Sequence, residues 1–239
     1  MNILAIGAHP DDVEESCGGT LAKYAKQGHK VFTATATNGN VGSATLSMEE
    51  IAKVRKEEAR RAAALIGAEY ICLDYNDEMF FEDIEARINF INLVRYCKAD
   101  IILTHNPHDY NPDHMLTSKI INDIAVMIPI AKIPTKSAPY DKIPLIAYFE
   151  PVNGLGFVPT EYVDITEEID VKRAMCAEHK SQVAWMQDNY KDTFAGGKDF
   201  FDGVLTTAKY RGMQCGVDYA EGFRLANDAF RVVPRRFLP

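Results

Sequence analysis

Asn2-Ile3-Leu4-Ala5-Ile6-Gly7-Ala8-His9-Pro10-Asp11-Asp12 decides the fold: an apolar run stops where an imidazole and two carboxylates begin. The run reads as a buried strand, and in open α/β sheets binding and catalytic groups collect at the carboxyl ends of strands. His9 and Asp12 are metal-ligand types, and Asp11 between them is a candidate general base. Pro10 fixes one backbone angle and removes a donor, so the turn is expected to be stiff. A second polar cluster, His105-Asn106-Pro107-His108-Asp109-Tyr110-Asn111-Pro112-Asp113-His114, follows the apolar run Ile101-Ile102-Leu103. Two such clusters at two strand ends can supply one metal site.

Outward from the first strand, helix and strand alternate. Residues 14–27 read as a helix stopped by Gly28. Residues 30–36, rich in Val, Phe and Thr, read as a strand, and 38–43 as a flexible loop at its end. Ser47 is placed to cap a helix running to about residue 66, with Glu50 completing a capping box and Gly67 ending it. Strands are expected at 70–73 and 99–104, and helices at 82–97 and from 113 to about 128. This βαβα order implies a mainly parallel sheet with right-handed crossovers. Prolines at 129, 134, 139 and 144 are too widely spaced for a polyproline helix and read as a surface connection. Beyond them come a strand at 145–149, a helix at 164–185 capped by Thr166, a loop at Ala195-Gly196-Gly197, and a short helix at 219–223 near the site. No repeat or composition break divides residues 1–239. The expectation is one α/β domain, a Rossmann-like three-layer sandwich with helices on both faces of the sheet.

With 239 residues, 47% of them hydrophobic, the chain can build such a core; chains of this size bury roughly 70% or more of their unfolded surface. A net charge of -8 argues against nucleic acid or an anionic membrane as the main partner. No basic flank precedes the first apolar run, and no stretch approaches the roughly 20 apolar residues that span a bilayer. The 5 cysteines are scattered and odd in number, which fits a cytoplasmic protein with reduced thiols and no CxxC-type zinc site.

Two histidines and one carboxylate, with a position left open for water, form a common catalytic zinc arrangement. His9 and Asp12 come from the first cluster. His114 is taken as the third ligand, with Asp113 beside it to orient a neighbouring group. Adjacent carboxylates repel unless a cation compensates them, so a metal on Asp12 leaves Asp11 free to take a proton from bound water. The plainer role for Asp11 is to cap the helix that follows.

Ala8-His9-Pro10-Asp11-Asp12-Val13-Glu14, followed by Cys17-Gly18-Gly19-Thr20-Leu21, resembles the signature of the PIG-L/LmbE-like deacetylase family. Asn111-Pro112-Asp113-His114 is similar to the family's second metal motif. Arg55 to Glu58 with Ala62-Ala63 and Leu65-Ile66-Gly67 is similar to its substrate-side helix. His179-Lys180-Ser181-Gln182 and Tyr219-Ala220-Glu221-Gly222-Phe223 match weaker late motifs. The resemblance implies a zinc-dependent hydrolase, with Fe2+ or another divalent metal as a substitute, that removes acetyl from a small N-acetylglucosamine conjugate or related amino sugar. It implies His9, Asp12 and His114 as ligands, Asp11 as general base, Arg55 and Glu14 toward the substrate, Asn38 in a loop bordering the site, and a homo-oligomer.

One position departs from the pattern. Where the family has a histidine thought to stabilise the oxyanion, paired with the intervening Asp113, this chain has Asn111. An amide can donate to an oxyanion but cannot carry a positive charge or relay a proton at neutral pH. Either Asn111 serves with less charge, or His108 reaches in, or the substrate differs. Asn111 also leaves room for a weak or inactive sugar- or metal-binding homologue. A His-x-Asp…His iron oxygenase fits the residues but not the βαβα order. Glu58 reads as part of a solvated face, His179 as a packing or partner contact, and His29 and His105 as structural.

Overall fold

The computed structural model describes residues 1–190 and 200–227; the loop expected at 195–197 lies outside them. In chain order the elements are β1 (Asn2–Gly7), α1 (Asp12–Lys26), β2 (Lys30–Thr37), α2 (Met48–Ala64), β3 (Glu69–Tyr75), α3 (Ile84–Cys97), β4 (Ile101–His105), α4 (Pro112–Ile124), β5 (Leu145–Phe149), β6 (Glu161–Asp164), α5 (Ile169–Ala177), α6 (Lys180–Tyr190), α7 (Phe200–Cys215) and β7 (Ala220–Leu225). They form a seven-stranded sheet in the order β3-β2-β1-β4-β5-β7-β6. The first five strands pair in parallel, and β7 runs antiparallel to both β5 and β6.

β1 lies inside this sheet, between β2 and β4, and its alternate residues point to opposite layers. Leu4 and Ile6 pack with Phe90, Val94, Ile120 and Ile124 of α3 and α4. Ile3 and Ala5 pack with Val13, Leu21 and Tyr24 of α1 and with Ala208 of α7. Burial on both faces explains the unbroken apolar run, since no position of the strand faces water. The chain leaves β1 toward β2 on one side and later returns through β4 on the other. Their carboxyl ends therefore diverge into a crevice, where ligands bind in such sheets.

The capping box at the start of α2 is present: Ser47 accepts from the Glu50 amide, and the Glu50 carboxylate accepts from the Ser47 amide. The later expectations needed correction. Residues 219–223 lie in strand β7 and its approach, not in a helix. They contain no β-branched residue, and pairing with β5 and β6 sets their conformation. The helix expected at 164–185 is a 3-10 turn followed by two helices, broken at Glu178-His179. There the Ser181 amide and hydroxyl both donate to Glu58 of α2, which turns the chain. Thr166 caps nothing; its hydroxyl exchanges hydrogen bonds with the Tyr219 backbone. After α4 the connection is held by buried Arg95, which donates to the carbonyls of Met127, Ile128, Ile130 and Ile133.

Helix α1 is interrupted at Cys17, whose φ of -143° is not helical. The amides of Gly19 and Thr20 donate instead to the Glu221 carboxylate of β7, at 3.0 and 2.8 Å. Buried Lys172 of α5 neutralises that carboxylate at 2.6 Å. Gly19 is required here, because a Cβ would lie 2.8 Å from Ile165 carbons.

Candidate active site

The turn after β1 is built by its own side chains. The His9 amide donates to Asp12 Oδ2 at 2.6 Å, and the Ala8 carbonyl accepts from the Thr37 amide and hydroxyl. Asp11 sits at φ 139°, a region that L residues rarely adopt; such positions cost about 1–3 kcal/mol and persist when neighbours fix them. Arg55 Nη2 supplies that restraint, donating to the Pro10 carbonyl at 2.9 Å and to Asp11 Oδ2 at 3.2 Å. Asp11 stands at the N-cap position of α1 without a side-chain cap bond, so the plain capping role does not describe its carboxylate.

Three groups from the two loops converge. His9 Nδ1 is 3.1 Å from His114 Nε2. His114 Nε2 is 3.3 Å from Asp12 Oδ1, and His9 Nδ1 is 3.5 Å from Asp12 Oδ2. Ligands bound to zinc at 2.0–2.2 Å in a tetrahedron stand roughly 3.3 Å apart. The donor set and its spacing thus fit a zinc-sized cation held by His9, Asp12 and His114. Electrostatics point the same way. Burial alone would make both imidazoles less basic, yet the Asp12 carboxylate between them reverses this, raising His9 and bringing His114 to about 9. Asp12 therefore draws positive charge to this spot, whether a proton on an imidazole or a cation between the rings.

Each candidate ligand is braced from behind. His9 Nε2 lies 2.9 Å from Asp77 Oδ1 and 3.5 Å from Asp113 Oδ2. His114 Nδ1 lies 3.1 Å from Asp109 Oδ1. A carboxylate on the far ring nitrogen fixes the tautomer and turns the near lone pair toward a metal. Arg55 Nη1 in turn stands 3.6 Å from Asp77, so one guanidinium links the Asp11 loop to the brace of His9. Burial pushes the Asp11 carboxyl up, against the pull of Arg55, which suits a group that must accept a proton and return it.

Asn111 is the N-cap of α4. Its Oδ1 accepts from the amides of Asp113 and His114 at 2.7 and 3.3 Å, and its Nδ2 donates to Glu78 at 3.2 Å. Asp113 Oδ2 accepts from the Glu78 amide. Glu14 is buried, with Oε2 3.2 Å from His179 Nε2. Asn38 is turned into its own loop, donating to Asp74 and accepting from the Asn40 amide. His108 is exposed and, with Asp109, Tyr110, Met115 and Val152, lines an open cavity of about 550 Å³ beside His114.

Several residues here were not assigned to the site from the sequence. His105, read as structural, stacks on His114 with ring centroids 3.9 Å apart, and its Nε2 accepts the Ala8 amide and lies 3.1 Å from Asp12. Burial, then His114, push it down to about 4, so it stays neutral. Glu58 is buried against Ser181, not solvated. Asp77 and Asp109 gave no signal of their own, because aspartates in loops are common. Their only trace was position: one follows β3 and one sits five residues before His114.

Comparison with known proteins follows this geometry. The PIG-L family model, described as GlcNAc-PI de-N-acetylase, matches residues 4–125. The diacetylchitobiose deacetylase of Thermococcus kodakarensis is 28% identical over 240 residues, covering 95% of this chain and 84% of that protein. The 4-oxalmesaconate hydratase of Pseudomonas putida is 25% identical over 184 residues, covering 72% of this chain and 70% of that one. The solved N,N'-diacetylchitobiose deacetylase of Pyrococcus horikoshii superposes with a TM-score of 0.79 at 25% identity, covering 93% of this chain and 82% of that one.

Proposed function

Because this chain belongs to the PIG-L family, we propose that it is a zinc-dependent N-deacetylase acting on a small GlcNAc-containing conjugate or related N-acyl amino sugar. The observation that carries the reading is the approach of His9, Asp12 and His114 to within 3.1–3.5 Å of one another, with Asp11 held beside them on Arg55. A zinc ion bound by those three residues supplies polarisation of the amide carbonyl and a lowered pKa for water, and Fe2+ suits the same ligands.

The chain's own groups do the rest. Asp11 takes a proton from the attacking water as the new C–O bond forms. It then gives that proton to the nitrogen as the C–N bond breaks, releasing acetate and the free amine. Arg55 holds Asp11 in its strained backbone geometry and keeps its carboxylate aimed. Asp77, Asp109 and Asp113 orient the imidazoles. Asn111 Nδ2, which retains a second hydrogen beyond the one given to Glu78, donates to the oxyanion, and His108 at the cavity rim is the other candidate. The 550 Å³ cavity is within the range of small-molecule sites and receives the rest of the conjugate.

Acetate release from N,N'-diacetylchitobiose and other N-acetyl glycosides, with and without chelator, tests the reading. Asp11→Asn should lower kcat by about 100-fold or more. Full activity in Asp11→Asn would remove the general-base assignment, and full activity in chelator would remove the metal. A second reading, a sugar-binding homologue with little turnover, rests on the commitment of Asn111 Oδ1 to the α4 cap. Saturable binding of an N-acetyl sugar without acetate release would favour it.

A further inference from the structure

A second, smaller cavity of about 60 Å³ lies one turn of α1 beyond Asp11, between α1, α5, α7 and the ends of β5 and β7. Glu15, whose amide donates to the Asp11 carbonyl, forms its near wall. Five charged residues line it: Glu15, Glu150, Lys172, Arg211 and Glu221. Their accounts do not close. Glu221 is satisfied by Lys172 and by the Gly19 and Thr20 amides. Lys172 spends its remaining donors on the carbonyls of Glu14 and Glu15. Arg211 Nε holds Glu150 Oε2 at 2.6 Å, while its other nitrogens go to Gln214 and the Phe157 carbonyl.

Two acceptors are left over. Glu150 Oε1 is buried without a hydrogen-bond partner, on a side chain only 8% exposed. Glu15 has no side-chain hydrogen bond among the described residues. Three carboxyl groups face two cations, so the partly enclosed space holds one more acid than base. A buried acceptor left without a partner, such as Glu150 Oε1, is costly and is normally matched. The volume holds a few waters and falls well short of the ~150 Å³ that admits benzene, so it admits a methylene-ammonium group and excludes a sugar ring.

We infer that this cavity is a subsite for a primary ammonium group on the substrate, so that the preferred substrate is an N-acetyl amino sugar already carrying one free amine. The reaction in this inference rests on the deacetylase reading above, whereas the amine preference rests on the cavity alone. The cavity shares Pro151 and Val152 with the larger one beside His114, and its wall residue Glu15 lies about one helical pitch, ~5.4 Å, along α1 from the proposed base Asp11. A disaccharide with one free and one acetylated amine carries the two functions on neighbouring rings.

The test compares kcat/KM for N,N'-diacetylchitobiose and for its mono-deacetylated form, on the same zinc-loaded preparation at neutral pH, in wild type, Glu15→Gln and Glu150→Gln. Because both constants come from one preparation, their ratio is unaffected by any loss of folded protein. Wild type is expected to favour the amine-bearing substrate by about tenfold or more, as paired charges in desolvated sites do. The ratio should fall toward one in either variant. A wild-type ratio of one or less, or a ratio unchanged in both variants, overturns the inference. If neither substrate releases acetate, the deacetylase reading fails, and calorimetry with the fully deacetylated disaccharide decides the subsite. Binding that weakens about tenfold in Glu15→Gln upholds it; absent or unchanged binding overturns it.

Discussion

Replacing Gly7 by alanine should disable the metal site while leaving the sheet folded. A Cβ at this position would lie 2.6 Å from Asp12 Cβ and 3.1 Å from Asp12 Oδ2. Non-bonded carbons settle at about 3.5–4.0 Å, so one side must retreat by about 1 Å. The strand cannot, because Gly7 pairs in the parallel ladder with Thr35 and its neighbours are wholly buried. Asp12 opens α1 and is the side that gives. Coordination distances tolerate only about 0.2 Å. Overpacking of this kind costs about 1–3 kcal/mol, or a fall in Tm of roughly 2–12 °C for a chain of this size. Zinc affinity should fall by about 100-fold or more, at or beyond the upper end of what losing a supporting contact does. Chelator-competition titration with a thermal melt measures both quantities. Gly67→Ala is the control: Gly67 has φ +68° and open space around its would-be Cβ, so that variant should lose stability and keep its zinc affinity. Wild-type zinc affinity in Gly7→Ala would refute the reasoning, because it would mean that Asp12 is not a ligand.

Other perturbations separate the parts of the site from the fold around it. Asp77→Asn and Asp109→Asn, which remove the carboxylates behind His9 and His114, should each weaken zinc binding by about 10- to 100-fold in the same titration. Arg95→Met strips the donor from four carbonyls after α4 and should cost about 3–5 kcal/mol by urea denaturation, with zinc affinity unchanged. Burial alone would raise the Asp100 carboxyl, but Lys142, the Asn2 amide and Tyr140 hold it below its ordinary value. Its folded pKa is thus depressed, so its contribution is complete above the unfolded value near ~3.9 and fades as pH falls through the folded one. Urea melts of Asp100→Asn should therefore trail wild type at neutral pH and converge with it in acid; a constant gap would refute the linkage.

The sequence was most legible where one element dictates both burial and chemistry. Ile3 to Ile6 could only be a central strand, so His9, Asp11 and Asp12 had to sit at its carboxyl end. The same logic carried Ile101 to Leu103 and His114. It failed where tertiary partners override local pattern. Ala220-Glu221-Gly222 has weak strand propensity and is a strand because β5 and β6 flank it. Glu58 looked solvated because its partner, Ser181, lies 123 residues away. His105 is structural as read, but its contact with Ala8 was not foreseen because it depends on the β1–β4 register, which no local spacing encodes. Asn111 was read as a departure from a catalytic pattern, and its geometry shows it as the cap of α4.

The tie between Glu221 and the interrupted first helix spans 201 and 202 residues of chain. A ribosome making this protein lays down His9 and Asp12 long before the strand that stitches their helix. The reactive turn is therefore among the last features to mature, since contacts so distant in sequence form late. A message truncated before the codon for Glu221 should yield a fragment that holds His9, Asp12 and His114 and has no lasting grip on the metal proposed for them.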